Sequence, residues 1–183
     1  VSDPFSITPT VPAPPPAGDF DLDGQADLLW HHQGTGELYV WMLDGTVATS
    51  GGYLTPRAFA DTRWQIRGLA DLDGDGDSDI LWHHQTSGEL YVWFLQGRVV
   101  TSGSYLTPRA FSDTLWQIRG LADFDGDGDA DLLWHHQGRG DLYVWLMQGL
   151  AATGGSYLTP KTFADTRWQI RGVADFTRDG QPD

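Results

Sequence analysis

The sequence predicts an all-β fold built from three repeated units, each a small antiparallel sheet of four strands. A motif of the form Asp-x-Asp-x-Asp-Gly-x-x-Asp begins at residues 19, 71 and 123, so successive copies lie 52 residues apart. A fixed period of this length is typical of repeat architectures. Short runs of branched and aromatic residues alternate with Gly-containing turns, and no segment shows the periodicity of an amphipathic helix.

Each unit is predicted to contain four strands, with the Asp-rich loop between the first and the second. The second unit shows this order most completely, because runs of strand-forming residues alternate there with turn signals. Its predicted strands lie at 64–70, 79–84, 89–95 and 98–102, and a long connection follows at 103–115. Four short antiparallel strands per repeat describe the blades of a β-propeller, so the sequence predicts propeller blades.

The Asp-rich loop is predicted to bind a hard divalent cation. Carboxylates at its positions 1, 3, 5 and 9 can converge on one point, Gly at position 6 permits a sharp turn, and the main-chain carbonyl at position 7 can add an oxygen. An EF-hand would need Glu at position 12, where this chain has Trp30, Trp82 and Trp134. We therefore predict a short Ca²⁺ loop between two strands. A solvated Asp-rich turn is the alternative, which three intact copies at one spacing disfavour.

Three calcium sites are predicted in this way, and a fourth is left open. The fourth copy of the loop, 175–183, has Thr177 at the second ligand position and Arg178 beside it. The predicted ligands are the residues at positions 1, 3, 5, 7 and 9 of the four loops: Asp19, Asp21, Asp23, Gln25, Asp27, Asp71, Asp73, Asp75, Asp77, Asp79, Asp123, Asp125, Asp127, Asp129, Asp131, Asp175, Thr177, Asp179, Gln181 and Asp183.

Composition and charge restrict the function. The formal net charge is −14, and seventeen of the 25 acidic residues lie in the four loops, so most of the acidity belongs to the predicted metal sites. An acidic chain lacks the basic surface that nucleic-acid binding needs. There is no Cys, which excludes disulfides and a thiol nucleophile, and no apolar run approaches the ~20 residues of a membrane span. Calcium modules of this kind work where calcium is millimolar, so we expect a secreted or cell-surface location.

The loop and the strands that follow it resemble a known family. The run 19–30 (DFDLDGQADLLW), followed by 36–45 (GELYVWMLDG), is similar to the FG-GAP/VCBS repeat. Members of that family form calcium-binding β-propellers, among them the integrin α-chain head and some fungal and bacterial lectins. The resemblance covers residues 19–183 and implies that the loop Asp side chains hold Ca²⁺. It does not specify a function.

The repeat divides the chain into units at 19–70, 71–122 and 123–174, with the start of a fourth loop at 175–183. The Pro-rich segment 1–18 is predicted to be an extended linker. This segment takes the place of the first strand in the first unit. At the other end of the chain, an additional first strand and an acidic loop follow the third unit. Because propellers usually close with about four to eight blades, complementary ends favour a six-bladed ring of two identical chains. A filament of identical chains and a longer natural chain remain alternatives.

The aromatic residues are predicted to pack between blades. All nine Trp fall into three equivalent triplets, and flat rings fill the wedge between neighbouring sheets. The six His form three adjacent pairs, at 31–32, 83–84 and 135–136. Adjacent residues of a strand point to opposite faces, so one pair cannot chelate one ion. We expect one His of each pair to pack beside a Trp and the other to face solvent or a neighbouring blade.

A repeated Tyr-Leu-Thr-Pro-Arg run places an aromatic ring and a cation on the predicted connection between units. Aromatic rings can stack on the apolar faces of sugars, and polar side chains can form hydrogen bonds with sugar hydroxyl groups. These residues are therefore candidates for carbohydrate binding, with a structural role as the alternative. The candidates are Tyr53, Arg57, Tyr105, Arg109, Tyr157 and Lys161.

The repetition argues against catalysis. No nucleophile-elbow, phosphate-loop or zinc-protease motif occurs, and an active site is usually a unique constellation, whereas every notable feature here is repeated. We therefore expect a binding module that is not an enzyme and that recognises glycans or another surface ligand through several identical sites. The alternatives are a structural protein that closes or polymerises with identical chains, and an accessory module of a larger secreted protein.

Overall fold

The computed structural model describes residues 16–177, 179 and 181–183. Most of the predicted linker 1–18 lies outside these residues, so that prediction is untested. The described chain contains eleven β-strands and no helix, which confirms the all-β class. The strands are β1 (Leu28–His31), β2 (Glu37–Asp44), β3 (Val47–Ala58), β4 (Trp64–Ala70), β5 (Asp79–His84), β6 (Glu89–Gln96), β7 (Val99–Ala110), β8 (Trp116–Ala122), β9 (Asp131–His136), β10 (Asp141–Gln148) and β11 (Ala151–Thr162).

The strands form three blades that follow one another along the chain. In the second blade, β4 to β7 pair as an antiparallel meander, and β8 to β11 repeat this arrangement in the third. The first blade contains β1, β2 and β3 among the described residues. Four strands per unit are thus confirmed in two blades. The place of β4 in the first unit, 12–18, lies mostly outside the described residues.

The fourth strand of each blade is longer than predicted. β7 has 12 residues, so the predicted strand 98–102 continues through most of the predicted connection 103–115. It stays paired with β6 across a register shift, and the Thr107 N–H donates to the Leu150 carbonyl of the next blade at 2.9 Å. The sequence prediction was wrong because Gly and Pro in this run are turn signals. An outer strand tolerates them, since the main-chain N–H that proline lacks is not needed there.

The blades are joined side by side at both edges. The outer strands β3 and β7, and then β7 and β11, each pair in parallel at a single residue pair. At the opposite edge, the first strands β4 and β8 of neighbouring blades run close together. A Cβ atom on Gly68 would lie 2.3 Å from Leu121 Cδ1, so a side chain at this position would push the two strands apart. The arrangement is that of adjacent propeller blades, and within the described residues it is not closed into a ring.

The hydrophobic core lies between the blades rather than within one of them. One buried cluster joins blades 1 and 2 and contains Leu38 and Val40 together with Trp82. A second joins blades 2 and 3 through the equivalent residues Leu90, Val92 and Trp134. The predicted packing of Trp between blades is confirmed for the six at these two junctions, whereas the three at the outer faces are exposed. The buried ones are Trp64, Trp82, Trp93, Trp116, Trp134 and Trp145, and the exposed ones are Trp30, Trp41 and Trp168.

The predicted first strand of the fourth unit, 168–174, is not a strand in the structure. No second strand pairs with it among the described residues, and a strand is defined by such pairing. This segment nevertheless lies beside β8. Arg119 Nη2 donates to Gln169 Oε1 at 2.6 Å, as Arg67 Nη2 donates to Gln117 Oε1 at 2.7 Å between β4 and β8.

Candidate metal centre and aromatic recesses

The Asp-rich loops lie where the sequence predicts them, between the first and second strands of blades 2 and 3 and directly before β1. The Gly at position 6 has a positive φ in each of these loops, 89° at Gly24, 94° at Gly76 and 97° at Gly128. Side chains disfavour this conformation, so the predicted sharp turn is confirmed. Position 4 of the first loop is also left-handed, and Leu22 occupies it with a φ of 60°.

Three carboxylates converge in each loop. One oxygen from each lies within 4.8 Å of the other two, so the three can face a common cation. All of these donors are carboxylate oxygens, the ligands that Ca²⁺ prefers, and the residues present therefore fit the predicted ion. The convergent groups are Asp19, Asp21 and Asp27, then Asp71, Asp73 and Asp79, then Asp123, Asp125 and Asp127. Metal binding by these nine residues stays a prediction, as it does for the other predicted ligands of these loops: Asp23, Gln25, Asp75, Asp77, Asp129 and Asp131.

The aspartate at position 9 has a second role that sequence reasoning missed. In the second loop, Asp79 Oδ2 accepts the N–H of Leu72 at 2.9 Å and Oδ1 accepts the N–H of Leu95 at 3.0 Å. The first bond closes the loop, and the second ties it to strand β6. Asp27 and Asp131 make the equivalent pairs of bonds in their loops. This aspartate therefore fastens the corner of each sheet through the main chain.

Two further loop positions shape the corner. At position 1, Asp71 accepts the N–H of Gly74 at 2.7 Å and that of Gly76 at 3.0 Å, which holds the turn in its left-handed conformation. At position 7, the Asp77 side chain accepts the N–H of Gly97 at 3.0 Å, in the turn between β6 and β7. In the first loop the Gln25 side chain bonds the equivalent turn. In these two loops the side chain at position 7 connects the loop to a turn about 20 residues away in sequence.

Burial raises the pKa of the last aspartate in the second and third loops. The pKa of Asp79 rises to about 7 and the pKa of Asp131 also rises, in both cases mainly because the carboxyl is buried, with nearby loop carboxylates adding to the effect. Both causes disfavour the anion. A divalent cation would offset them, because it supplies positive charge to a desolvated anionic cluster. The electrostatics of the loops therefore suit a cation site.

The fourth loop is described except for residues 178 and 180. The Asp183 N–H donates to the Ala174 carbonyl at 2.9 Å, which repeats the bond from Asp27 to Gly18 in the first loop at 2.8 Å. The Thr177 N–H donates to Asp183 Oδ2 at 2.9 Å. The loop is thus closed at its base like the others. Its predicted ligands, Asp175, Thr177, Asp179, Gln181 and Asp183, stay a prediction.

An open recess lined by aromatic side chains lies on blade 2, beside the segment that connects blade 1 to blade 2. It has a volume of about 380 Å³, and the equivalent recess on blade 3 has a volume of about 510 Å³. Both volumes fall in the range of small-ligand sites, about 300–1,000 Å³. The first is lined by Phe59, Trp64, Tyr91, Trp93 and Tyr105, and the second by Phe111, Trp116, Arg139, Tyr143, Trp145 and Tyr157.

The predicted carbohydrate-binding residues lie on outer strands rather than on a connection, which corrects their predicted placement. Tyr105 lines the recess of blade 2 and Tyr157 that of blade 3. The Arg109 guanidinium lies 3.5 Å from the centre of the Tyr105 ring and 2.7 Å from Glu89 Oε1. A register shift in the pairing of β6 with β7 falls between Tyr105 and Ala110, so the strand is irregular where the cation stacks on the ring. The equivalent stacked pairs are Arg57 on Tyr53, at 3.5 Å, and Lys161 on Tyr157, at 3.8 Å.

The histidine pairs split between two neighbours, as predicted. His83 packs edge-on against Trp134 of the next blade, with ring centres 5.7 Å apart, and His84 packs against Trp64 of its own blade at 5.0 Å. Both are buried, so neither of this pair faces solvent. Burial lowers the pKa of His83 to about 4, and the nearby Arg67 guanidinium adds to this effect.

Together, the repeated blades and the acidic loops at their corners define a class of protein, the repeat proteins built from β-propeller-like blades. A family model described as FG-GAP-like repeat matches the chain three times, at residues 19–82, 71–134 and 123–183. The chain therefore belongs to the FG-GAP-like repeat family. Comparison with curated proteins and with solved structures gave no significant match. A bilayer-spanning helix, which takes about 20 apolar residues, does not occur in the described part of the chain.

Proposed function

We propose that this chain is a secreted or cell-surface binding module, stabilised by calcium, that takes carbohydrate in the aromatic recesses of its blades. The observation that carries the proposal is the repetition of one recess on two blades with the same five aromatic positions. Identical shallow sites on one scaffold suit multivalent binding, where avidity offsets weak single contacts.

The chemistry of the recess suits a sugar. In the recess of blade 2, the rings of Phe59 and Trp93 are stacked, with centres 4.9 Å apart and an angle of 20° between their planes. Tyr105 stands at the rim with 36% of its surface exposed. Aromatic faces can cover the apolar C–H face of a pyranose, and phenolic hydroxyls can exchange hydrogen bonds with its hydroxyl groups. On blade 3, Arg139 adds a cation to the lining.

Calcium has a structural role in this proposal. The three convergent carboxylate groups lie at the corners between strands, away from the residues that line the aromatic recesses. A bound ion would neutralise their mutual repulsion and fix the corner, so that the blade faces stay in register. Most carboxylates of the chain lie in these loops, so few remain that could act as a general acid or base. This favours a binding module that is not an enzyme.

The test is binding to a glycan array in millimolar calcium, followed by calorimetry on the ligand that is found. Replacing the rim tyrosines, Tyr105→Ala with Tyr157→Ala, should weaken binding at each recess about fivefold, because a stacked aromatic contact is worth roughly 1 kcal/mol. Val99→Ala is the matched control, since Val99 lies on the same strand as Tyr105, is exposed, and lines neither recess. Absence of binding to any glycan, or equal affinity of the double variant, would contradict the proposal.

Self-assembly is a second candidate function. One specific observation favours it: apolar residues that are buried at the internal junctions are exposed at both outer faces of the three-blade array.

A further inference from the structure

The first blade exposes an apolar face whose equivalents are buried elsewhere. Leu28 is 45% exposed, Trp30 49% and Trp41 42%. We call these three residues the head face. At the same repeat positions in blade 2, the side chains of Ile80, Trp82 and Trp93 are 8% exposed or less, because blade 1 covers them. Trp30 and Trp41 already meet edge-on at 4.8 Å, as Trp82 and Trp93 do at 5.1 Å, so the head face has the geometry of a junction.

The third blade exposes the opposite kind of face. A recess of about 200 Å³ lies there, and we call its lining residues the tail face. Phe163 is 54% exposed and Trp168 is 65% exposed, whereas the equivalent Trp116 in the second junction is 5% exposed. The tail face consists of His135, Leu142, Phe163, Trp168, Gln169 and Ile170.

The two internal junctions show what fits such a recess. In the first, the Trp82 ring lies 5.4 Å from His31 and 4.9 Å from Phe59. In the second, the Trp134 ring lies 5.7 Å from His83 and 5.1 Å from Phe111. Each junction therefore inserts one tryptophan of the following blade between a histidine and a phenylalanine of the preceding blade.

His135 and Phe163 are the third pair of this kind, and both line the tail recess. The side chains of this chain that share the repeat position of Trp82 are Trp134, which is buried, and Trp30, which is exposed. We propose that the head face of one copy of this chain docks on the tail face of a second copy, with Trp30 entering the recess between His135 and Phe163. The contact is heterologous, so it closes into a ring or continues as a filament.

Docking requires one local rearrangement. Gly18 in the head occupies the place that Ala174 occupies in the tail, because each accepts the N–H of the last aspartate of its loop. When the faces meet, loops 19–27 and 175–183 would therefore compete for the same place beside the docked blade. One of the two must move away. Loop 175–183 has the fewest carboxylates of the four and is the one that moves in this proposal.

The junction would also complete an aromatic recess that neither copy has alone. Phe163 and Trp168 of one copy would meet Tyr39, Trp41 and Tyr53 of the other, at the repeat positions that line the two existing recesses. This consequence rests on the proposed carbohydrate function. The docking itself does not, and its test needs no ligand.

The first measurement is the mass of the full chain in calcium by sedimentation or light scattering. One chain is 20.2 kDa, so two chains in a six-bladed ring give about 40 kDa, and a filament gives larger species that grow with concentration. Either result supports the docking. A stable monomer of about 20 kDa overturns it.

The second measurement separates head-to-tail docking from other self-association. A head variant (Leu28→Ser, Trp30→Ser) and a tail variant (Phe163→Ser, Trp168→Ser) change exposed residues, so each should fold and remain monomeric. Each keeps one intact face, so mixing the two variants should restore a 1:1 complex. Failure of the mixture to associate, or association of either variant alone, overturns the proposal. Leu115→Arg is the control, because Leu115 is 51% exposed and belongs to neither face, and it should associate like the wild type.

Discussion

The buried histidines show how the position of a single residue fixes its chemistry. His83 is 1% exposed and lies between blades 2 and 3, where its ring meets Trp134. Its Nδ1 is buried without a hydrogen-bond partner among the described residues, so protonation would place an unpaired charge in the core. The lowered pKa of about 4 follows from this burial first and from Arg67 second. His83 is therefore neutral in the folded protein near pH 7.

This burial makes the stability of the second junction sensitive to acid. The folded pKa of His83 lies below the unfolded value of 6.5, so the unfolded chain binds the proton first as the pH falls. The free energy of unfolding should thus decrease by up to about 3 kcal/mol between pH 6.5 and pH 4 from this group alone. Urea unfolding across this range should show a shallower decrease for His83→Asn, while His32→Asn, at an exposed position, should follow the wild type. Identical slopes for all three proteins would refute this assignment.

At the scale of one element, the Asp-rich loop combines two tasks in neighbouring carboxylates. Asp79 is fully buried, and each of its carboxylate oxygens accepts a hydrogen bond from a main-chain N–H group, so it joins the loop to strand β6. Asp73 is exposed and its side chain accepts one N–H bond, from Asp75 at 3.3 Å. Both belong to the same convergent group. The first fastens the sheet corner, whereas the second would chiefly contribute negative charge toward the proposed cation.

The two tasks can be separated by substitution. Asp79→Ala leaves two main-chain N–H groups without their acceptor and should cost about 3 kcal/mol of stability even in a chelator. Asp73→Ala should cost stability in calcium but little in a chelator, because only the ion-dependent contribution is lost. Chemical denaturation of both variants, with calcium and with EDTA, checks this. Equal losses under the two conditions for Asp73→Ala would mean that the carboxylate is not a ligand.

At the scale of the whole molecule, stability resides at the junctions. The two buried clusters each join two blades, so no blade has a core of its own. Glycine at the first strands allows the blades to approach, since a Cβ on Gly68 of β4 would lie 2.3 Å from Leu121 Cδ1 of β8. In blades 2 and 3 an acidic loop forms the corner between the first and second strands. The geometry of the junctions therefore depends on how firmly the loops are held.

Removal of calcium should consequently loosen the entire array. An ion present at about 100 times its Kd contributes about 2.7 kcal/mol per site to the folded state, and three such sites are proposed in this chain. We expect the melting temperature in EDTA to fall well below that in calcium, measured by calorimetry, with magnesium restoring less because it prefers a smaller octahedral site. Superimposable melting curves in calcium and EDTA would contradict the proposal that calcium stabilises the loops.

The sequence by itself determined the period, the strand class, the turn glycines and the acidic loops, because each of these depends on local chemistry. Gly76 and Asp71 lie five residues apart, and their contact follows from the motif. The longer outer strand was missed, since Thr107 is held there by a carbonyl of the next blade. The bonds from Asp77 and Asp79 to distant strands and turns were missed for the same reason.

Only the tertiary structure decided which copies of a repeated residue are buried. Trp30, Trp82 and Trp134 are equivalent in sequence, yet Trp30 is half exposed and the other two are fully covered. The difference comes from whether a blade stands in front of the ring, and local sequence carries no such information. A repeat is thus defined by its own residues, while the environment of each copy is defined by its neighbours.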